Sequence, residues 1–310
     1  MIDGIPRISV LVITYNQEDV IGRAIESLLS QKDYIFEICI SDDCSKDKTW
    51  EILNYYSSQY PGLFVLNRND PNVGIFENIE RTWEMPTGDI VYQLSGDDEC
   101  GYGWFQKVID SIKELGLDYK NEMFCVYGDY MTVDLKGRKI THKNNLVTKD
   151  GGGLSLAIRG IVCNRSTCYS IKVLNRFFKV SQGRSHIAES AQDRQLQLFS
   201  EKNYYIPYVG NIYHTGIGVS TRIANDIIFE ERKQINQYLI NSFADRGFAP
   251  SKADLRYFVY EDAFLDFLHK KTLKNAFKLI YRWLLSYDKT IGMRSLNLSF
   301  MISHFIKLFQ

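Results

Sequence analysis

Apolar positions in roughly the first 130 residues alternate between unbroken runs and helical spacing. Ile8 to Ile13 is a continuous, largely β-branched run, suited to a central parallel strand covered on both faces. A helix follows, with Ile21, Ile25 and Leu28 on one side. Phe36 to Ile40 reads as a second strand, and Asp47 to Tyr56 as a second helix with Trp50 and Leu53 inward. Leu63 to Leu66, Ile75 to Trp83 and Ile90 to Leu94 continue the series as strand, helix and strand. A helix from about Trp104 to Leu115 and a strand at Phe124 to Tyr127 complete it. This βαβα rhythm predicts an α/β fold, a doubly wound, mostly parallel sheet with right-handed crossovers.

The rhythm breaks near Lys136. Lys143 to Gly153 is polar and ends in three glycines, which reads as a loop. A helix from about Ser190 to Glu201 and a strand around Tyr204 to Tyr213 close this unit, placed at residues 1–222. Its two halves span about 1–100 and about 101–222. Residues 223–310 are expected to be helical. On a helical wheel for Leu268 to Leu285, Leu273, Ala276, Phe277, Ile280, Trp283 and Leu284 share one arc. Lys270, Lys271, Lys274, Lys278 and Arg282 take the opposite side.

Composition changes this picture in one respect. The formal net charge is zero, yet from Leu268 to Gln310 eight Lys or Arg face a single acid, Asp288. That stretch is therefore formally +7 and the remainder −7. A basic amphipathic helix of this kind can lie on an anionic bilayer, each cation near the surface contributing roughly 1 kcal/mol. Its bland alternative is a helix packed on the domain with solvated lysines. The six cysteines show no CxxC pair or metal-ligand spacing, so free thiols in a reducing compartment are the expectation. The start, Met1-Ile2-Asp3-Gly4-Ile5-Pro6, does not read as a secretory signal, and no stretch of eighteen apolar residues occurs. The chain thus reads as cytoplasmic, with its basic tail suited to peripheral contact at the inner face of the cell membrane. Nucleic acid is not among the expected partners.

The chemistry gathers at strand ends. Ser95-Gly96-Asp97-Asp98-Glu99 directly follows the fourth strand, at the edge where open α/β sheets bind ligands. Adjacent carboxylates repel, and a hard cation such as Mn²⁺ or Mg²⁺ neutralises them and readily shares oxygen ligands with a diphosphate. The first strand ends in Thr14-Tyr15-Asn16, without the GxGxxG of a dinucleotide-binding unit. An aromatic and small polar groups there suit stacking and edge-bonding of a base. The second strand ends in Ser41-Asp42-Asp43-Cys44-Ser45, where an Asp can accept a pyrimidine imino N–H or a ribose hydroxyl. Three neighbouring tips therefore suggest a pocket for base, ribose and metal-bound diphosphate.

Taken in order, Ile8 to Asn16, Ser27 to Gln31, Asp42 to Asp47, Asn72-Val73-Gly74 and Gly96-Asp97-Asp98 resemble glycosyltransferase family 2, with its GT-A fold. The resemblance covers about Arg7 to Ser220. It implies that Thr14 and Tyr15 contact the nucleotide and that Asp43 bonds the uracil or thymine imino group. It implies further that Asn72 and Gly74 shape the donor pocket, that Asp97 sits by the ribose and that Asp98 binds the metal. Cys44 stands where the family usually has glycine. Asp193 occupies the place of the family's base, with Gln192 where Glu is usual and Glu189 as fallback. A helix-capping role for Asp193 is the structural alternative. His214, in Tyr213-His214-Thr215-Gly216-Ile217-Gly218-Val219-Ser220, resembles the family residue that meets the diphosphate or metal.

The implied activity is inverting transfer of a sugar from a nucleoside-diphosphate sugar, UDP- or dTDP-linked, to an acceptor hydroxyl. A glycan or lipid-linked glycan in surface polysaccharide or glycoconjugate synthesis is the expected acceptor. Two other classes bear comparison. A nucleotidyltransferase would need a Gly-rich basic loop near the N-terminus, which Thr14 to Gly22 does not supply. A non-catalytic nucleotide-sugar or glycan-binding protein on the same fold would tolerate loss of Asp43, Asp97, Asp98 or Asp193, all of which are present.

Overall fold

The computed structural model describes residues 4–143, 166–177, 179, 195–196, 199–218, 252–270 and 272–285, with scattered positions between 230 and 244. Its strands are β1 (Ile8–Thr14), β2 (Ile35–Asp42), β3 (Phe64–Arg68), β4 (Ile90–Ser95), β5 (Glu99–Cys100), β6 (Phe124–Val133), β7 (Lys139–His142), β8 (Thr167–Ser170) and β9 (Lys202–His214). The helices used below are α1 (Ile21–Leu29), α2 (Thr49–Gln59), α3 (Ile75–Trp83), α4 (Trp104–Glu114), α5 (Ile171–Leu174), α6 (Lys252–His269) and α7 (Leu273–Leu285). Among the described residues one sheet runs β3-β2-β1-β4-β8-β6-β9-β5, with β7 beside β6.

The continuous apolar run of β1 has a simple cause. Both of its faces are covered, and all seven residues are buried. Val10 and Val12 meet Ile21, Ala24, Ile25 and Leu28 of α1 in one apolar layer, which also holds Trp104 and Phe105 of α4. Leu11 and Ile13 belong to the opposite layer with Phe76, Ile79 and Trp83 of α3. β1 pairs in parallel with β2 and with β4, so Ile13 lies beside both Ser41 and Ser95. The three strand tips are thereby brought to one edge.

Beyond β4 the sheet departs from the parallel rule. β8 runs antiparallel between β4 and β6, and β6 pairs in parallel with β9 as far as Val133 and His214. The sequence reading ends β6 at Tyr127, but the strand continues and turns back into β7. Asp134 organises that turn by accepting from the amides of Lys136 and Arg138. Three of the four β7 residues are exposed, so no alternating pattern announced the strand. The long β6–β9 ladder delivers His214 to the β4 tip.

In the C-terminal helix only the edge of the apolar arc is packed. Ala276 and Leu279 of α7 are the residues buried in the α3 layer, together with Phe267 of α6. Leu273, Phe277 and Leu284, on the shared apolar arc, are 53%, 66% and 51% exposed, and Tyr281 is 59% exposed. The buried contact thus lies to one side of the arc, leaving an outward apolar strip. Lys278, read as a solvated cation, donates to Asp266 at 2.8 Å. The boundary near residue 222 lies outside the described residues.

Candidate functional site

The site is assembled from the tips outward. Thr14, the last residue of β1, is buried; its carbonyl accepts from the Asp43 amide at 3.0 Å and its hydroxyl donates to Gln17. Tyr15 follows with 40% of its surface exposed. Asn16, at φ 49, ties the two tips together by donating its amide to Ser45 Oγ and accepting from the Lys46 amide.

The paired acids of the second tip have separate tasks. Asp42 is fully buried, accepts from the Ser45 amide and hydroxyl, and lies 3.4 Å from Arg68 Nε. Burial pushes its pKa up, against the opposing influence of Ser45 and Arg68. It closes the turn. Asp43 faces the third tip: its Oδ1 accepts from Asn69 Nδ2 at 3.0 Å and the Val73 amide at 2.8 Å. Its Oδ2 accepts from the Gly74 amide at 2.9 Å, and Asn72 Nδ2 donates to its carbonyl at 2.7 Å. Gly74 holds φ 83 at the start of α3, a left-handed conformation that suits glycine and aims its amide at the carboxylate. Asn72 and Gly74 are therefore brought onto Asp43.

The fourth strand ends in a tight turn, with the Asp98 amide donating to the Ser95 carbonyl at 3.0 Å. Gly96 is packed so closely that a Cβ there would lie 2.3 Å from Gln17 Oε1 and 3.1 Å from the Ile13 carbonyl. Asp97 and Asp98 are 9% and 3% exposed. Asp98 Oδ1 accepts from the His214 amide at 3.1 Å, and His214 Nε2 lies 2.6 Å from Glu99 Oε1. Arg23 of α1 donates to the Asp97 carbonyl at 2.7 Å and stands 3.5 Å from Glu99. His214 thus reaches Asp98 through its backbone, while its ring is engaged by Glu99.

Arg23, Asn69 and Asn78 escaped the sequence reading, and Glu99 was noted in the acidic tip without a role. Glu99 adjoins the two aspartates and could have been assigned one from that position. Arg23 could not, because it sits in an ordinary amphipathic helix. Asp193 and Glu189 lie outside the described residues. Gln195 and Leu196, just beyond Asp193, are buried. Among the described residues no three His, Cys, Asp or Glu side chains converge as a complete metal cage. The donor set present is hard carboxylate oxygen with one imidazole beside it. That set fits Mg²⁺ or Mn²⁺ ions, which typically take only one or two carboxylates and draw the rest from phosphate and water.

Acidic and aromatic tips thus gather at the C-terminal edge of the parallel strands, where open α/β sheets bind ligands. Residues 9–156 match the model of glycosyl transferase family 2. Over that segment, a little under half of its length, the chain is similar to this family. It is 32% identical over 93 residues to the putative glycosyltransferase EpsE of Bacillus subtilis, a match covering 30% of this chain and 34% of that protein. It is 28% identical over 142 residues to chondroitin synthase of Escherichia coli, covering 46% of this chain and 20% of that one. The chain thus spans about a third or less of these relatives' lengths. In fold, it resembles TarS of S. aureus (residues 1–349) with a TM-score of 0.61 and 16% identity, covering 90% of this chain and 78% of that one. The same protein in complex with UDP-GlcNAc aligns with a TM-score of 0.60 and 15% identity, over 98% of this chain and 89% of that one. The fold is therefore the GT-A α/β fold expected.

Proposed function

We propose that this chain is an inverting glycosyltransferase that moves a sugar from a UDP- or dTDP-sugar to an acceptor hydroxyl. The observation that carries the reading is Asp43. Its carboxylate is fixed at the sheet edge by three donors, beside Tyr15 and on the same edge as Asp97 and Asp98. In this reading Tyr15 stacks on the base, Asp43 accepts its imino N–H, and Asp97 bonds the ribose. Asp98, with His214 beside it, would hold Mn²⁺ or Mg²⁺; bound there, the ion supplies neutralisation of the charge that develops on the departing diphosphate. Asp193 removes the proton of the acceptor hydroxyl as that oxygen attacks the anomeric carbon from the face opposite the leaving group.

The acceptor is proposed to be a lipid-linked glycan at the inner face of the cell membrane, in surface polysaccharide or glycoconjugate synthesis. The exposed strip of Leu273, Phe277, Tyr281 and Leu284 supports peripheral contact, with Lys274 on the same helix. No helix among the described residues is long and apolar enough to cross a membrane. Thermal shifts with UDP, dTDP, GDP and CDP, each with and without Mn²⁺ or Mg²⁺, test the donor site. Stabilisation by UDP or dTDP that needs both the ion and Asp98 is expected. No response to any diphosphate would sink the proposal.

A further inference from the structure

Asp43 does not stand on its own loop alone. Asn69 Nδ2 donates to Asp43 Oδ1 at 3.0 Å and to Asn78 Oδ1 at 2.8 Å. Asn69 Oδ1 in turn receives Arg81 Nη1 and Asn67 Nδ2, each at 3.0 Å. A guanidinium can only donate, so Arg81 fixes which end of the Asn69 amide is oxygen and turns its NH₂ toward Asp43. Asn78 is held the same way: its Oδ1 accepts from the Ser41 hydroxyl at 2.6 Å, and its Nδ2 donates to the Ser41 carbonyl at 3.1 Å. Asn69, Asn78 and Ser41 are almost completely buried.

Burying two amides is unfavourable unless every group is bonded. An apolar pair would fill the same space between β2 and α3 without that penalty. What the amides add is a defined hydrogen-bonding state on one carboxylate. Asp43 receives two donors on Oδ1 and one on Oδ2. A carboxylate offers about four acceptor positions, so the arrangement leaves one, on Oδ2. An ionised aspartate is an acceptor only, so the free position on Asp43 can take a hydrogen bond and has none to give. Uracil and thymine carry an N3–H to donate; cytosine carries a bare N3 and is refused.

We infer that Asn69, oriented by Arg81 and Asn78, is a positioning residue that sets the base preference of the donor pocket through Asp43. The inference rests on the nucleotide-binding reading above. Its test is isothermal titration of UDP and of CDP, with Mn²⁺, into the full chain as wild type, Asn69→Ala and Arg81→Met. Wild type is expected to bind UDP at least tenfold more tightly than CDP, the scale of one hydrogen bond to a charged group. Asn69→Ala is expected to weaken UDP about tenfold and change CDP less than twofold, collapsing the ratio. Arg81→Met, at a half-exposed position, tests the same point where Asn69→Ala fails to fold, and should lower the ratio severalfold. A general packing defect would weaken both nucleotides equally. An unchanged UDP-to-CDP ratio in a folded variant overturns the inference and leaves the donor site standing. A wild type that binds neither nucleotide overturns the donor-site reading itself, and the inference with it.

Discussion

The backbone amide of His214 donates to Asp98 Oδ1 at 3.1 Å, joining positions 116 residues apart. The end of β9 is thereby fastened to the turn after β4. Asp98 has a structural partner independent of any bound ion, and the two roles separate by substitution. Asp98→Asn keeps an oxygen for the His214 amide and removes the charge that attracts a cation. Its unfolding free energy should stay within about 0.5 kcal/mol of wild type, while Mn²⁺-dependent stabilisation by UDP disappears. Asp98→Ala should lose that response and also about 1 kcal/mol of stability. Urea unfolding with and without UDP and Mn²⁺ distinguishes them; a normal response from Asp98→Asn removes Asp98 as the ion's ligand.

Glu99 ties the same corner together from the side. It meets the His214 ring at 2.6 Å and Arg23 at 3.5 Å, joining α1, the turn and β9. Glu99→Gln retains the shape and drops the charge. A loss of about 1 kcal/mol is expected, since the pairs are only partly shielded from water. The UDP dissociation constant in the presence of Mn²⁺ should rise at least threefold as the turn loosens. Unchanged binding with lowered stability would confine Glu99 to holding the fold together.

The sequence exposed the halves of this molecule unequally. Strands buried on both faces, such as β1, write themselves as unbroken apolar runs, and α1 and α3 follow as amphipathic helices against them. Asp43, Asp97 and Asp98 were legible because each follows such a run directly. The network behind Asp43 was not, because Asn69, Asn78 and Arg81 gain their meaning from β2 and α3 approaching in space. The short antiparallel strands β5 and β8 were missed for a related reason. They are two and four residues long, and only their pairing with β9, β4 and β6 identifies them. In α7 periodicity found the apolar arc but not which part of it packs, because the buried contact runs through Ala276 and Leu279 at the arc's edge.

Cys44 occupies a left-handed position, φ 62, in the turn that presents Asp43. A side chain is strained there by about 1 kcal/mol, a strain that glycine avoids. Its thiol is buried and lies 3.2 Å from Lys46 Nζ, so the side chain has contacts to lose. Two substitutions separate these effects. Cys44→Ala keeps the strain and loses the contacts, and should be less stable than Cys44→Gly by about 1 kcal/mol. The reverse order in urea unfolding would show that the turn imposes no strain on a side chain.

The remaining described thiols are shielded. Burial pushes Cys39, Cys100 and Cys125 up to about 12, and Cys168 well above its ordinary value as well. The thiolate is the reactive species, so these four should resist N-ethylmaleimide at pH 8 in the folded protein. All four should label in urea. Peptide mapping by mass spectrometry reads this directly, and prompt native labelling of Cys100 would contradict its position between α1 and β9.

The outward strip of α7 gives the membrane proposal a sharp test. Phe277 and Tyr281 are among its most exposed members, and neither belongs to the buried layer formed by Ala276 and Leu279. Replacing both with Ser should therefore leave unfolding free energy within about 0.5 kcal/mol of wild type. If the strip enters a bilayer interface, the same change removes buried apolar area worth a few kcal/mol, and binding to phosphatidylserine-containing vesicles should fall at least tenfold. Lys274→Glu should weaken binding further and make it less sensitive to salt, whereas Lys278 is already engaged by Asp266 and should matter less. Sedimentation with vesicles of phosphatidylcholine alone supplies the control. Equal binding by wild type and the double variant would place this strip away from the lipid; a drop in stability on its removal would mean that it packs against the protein itself.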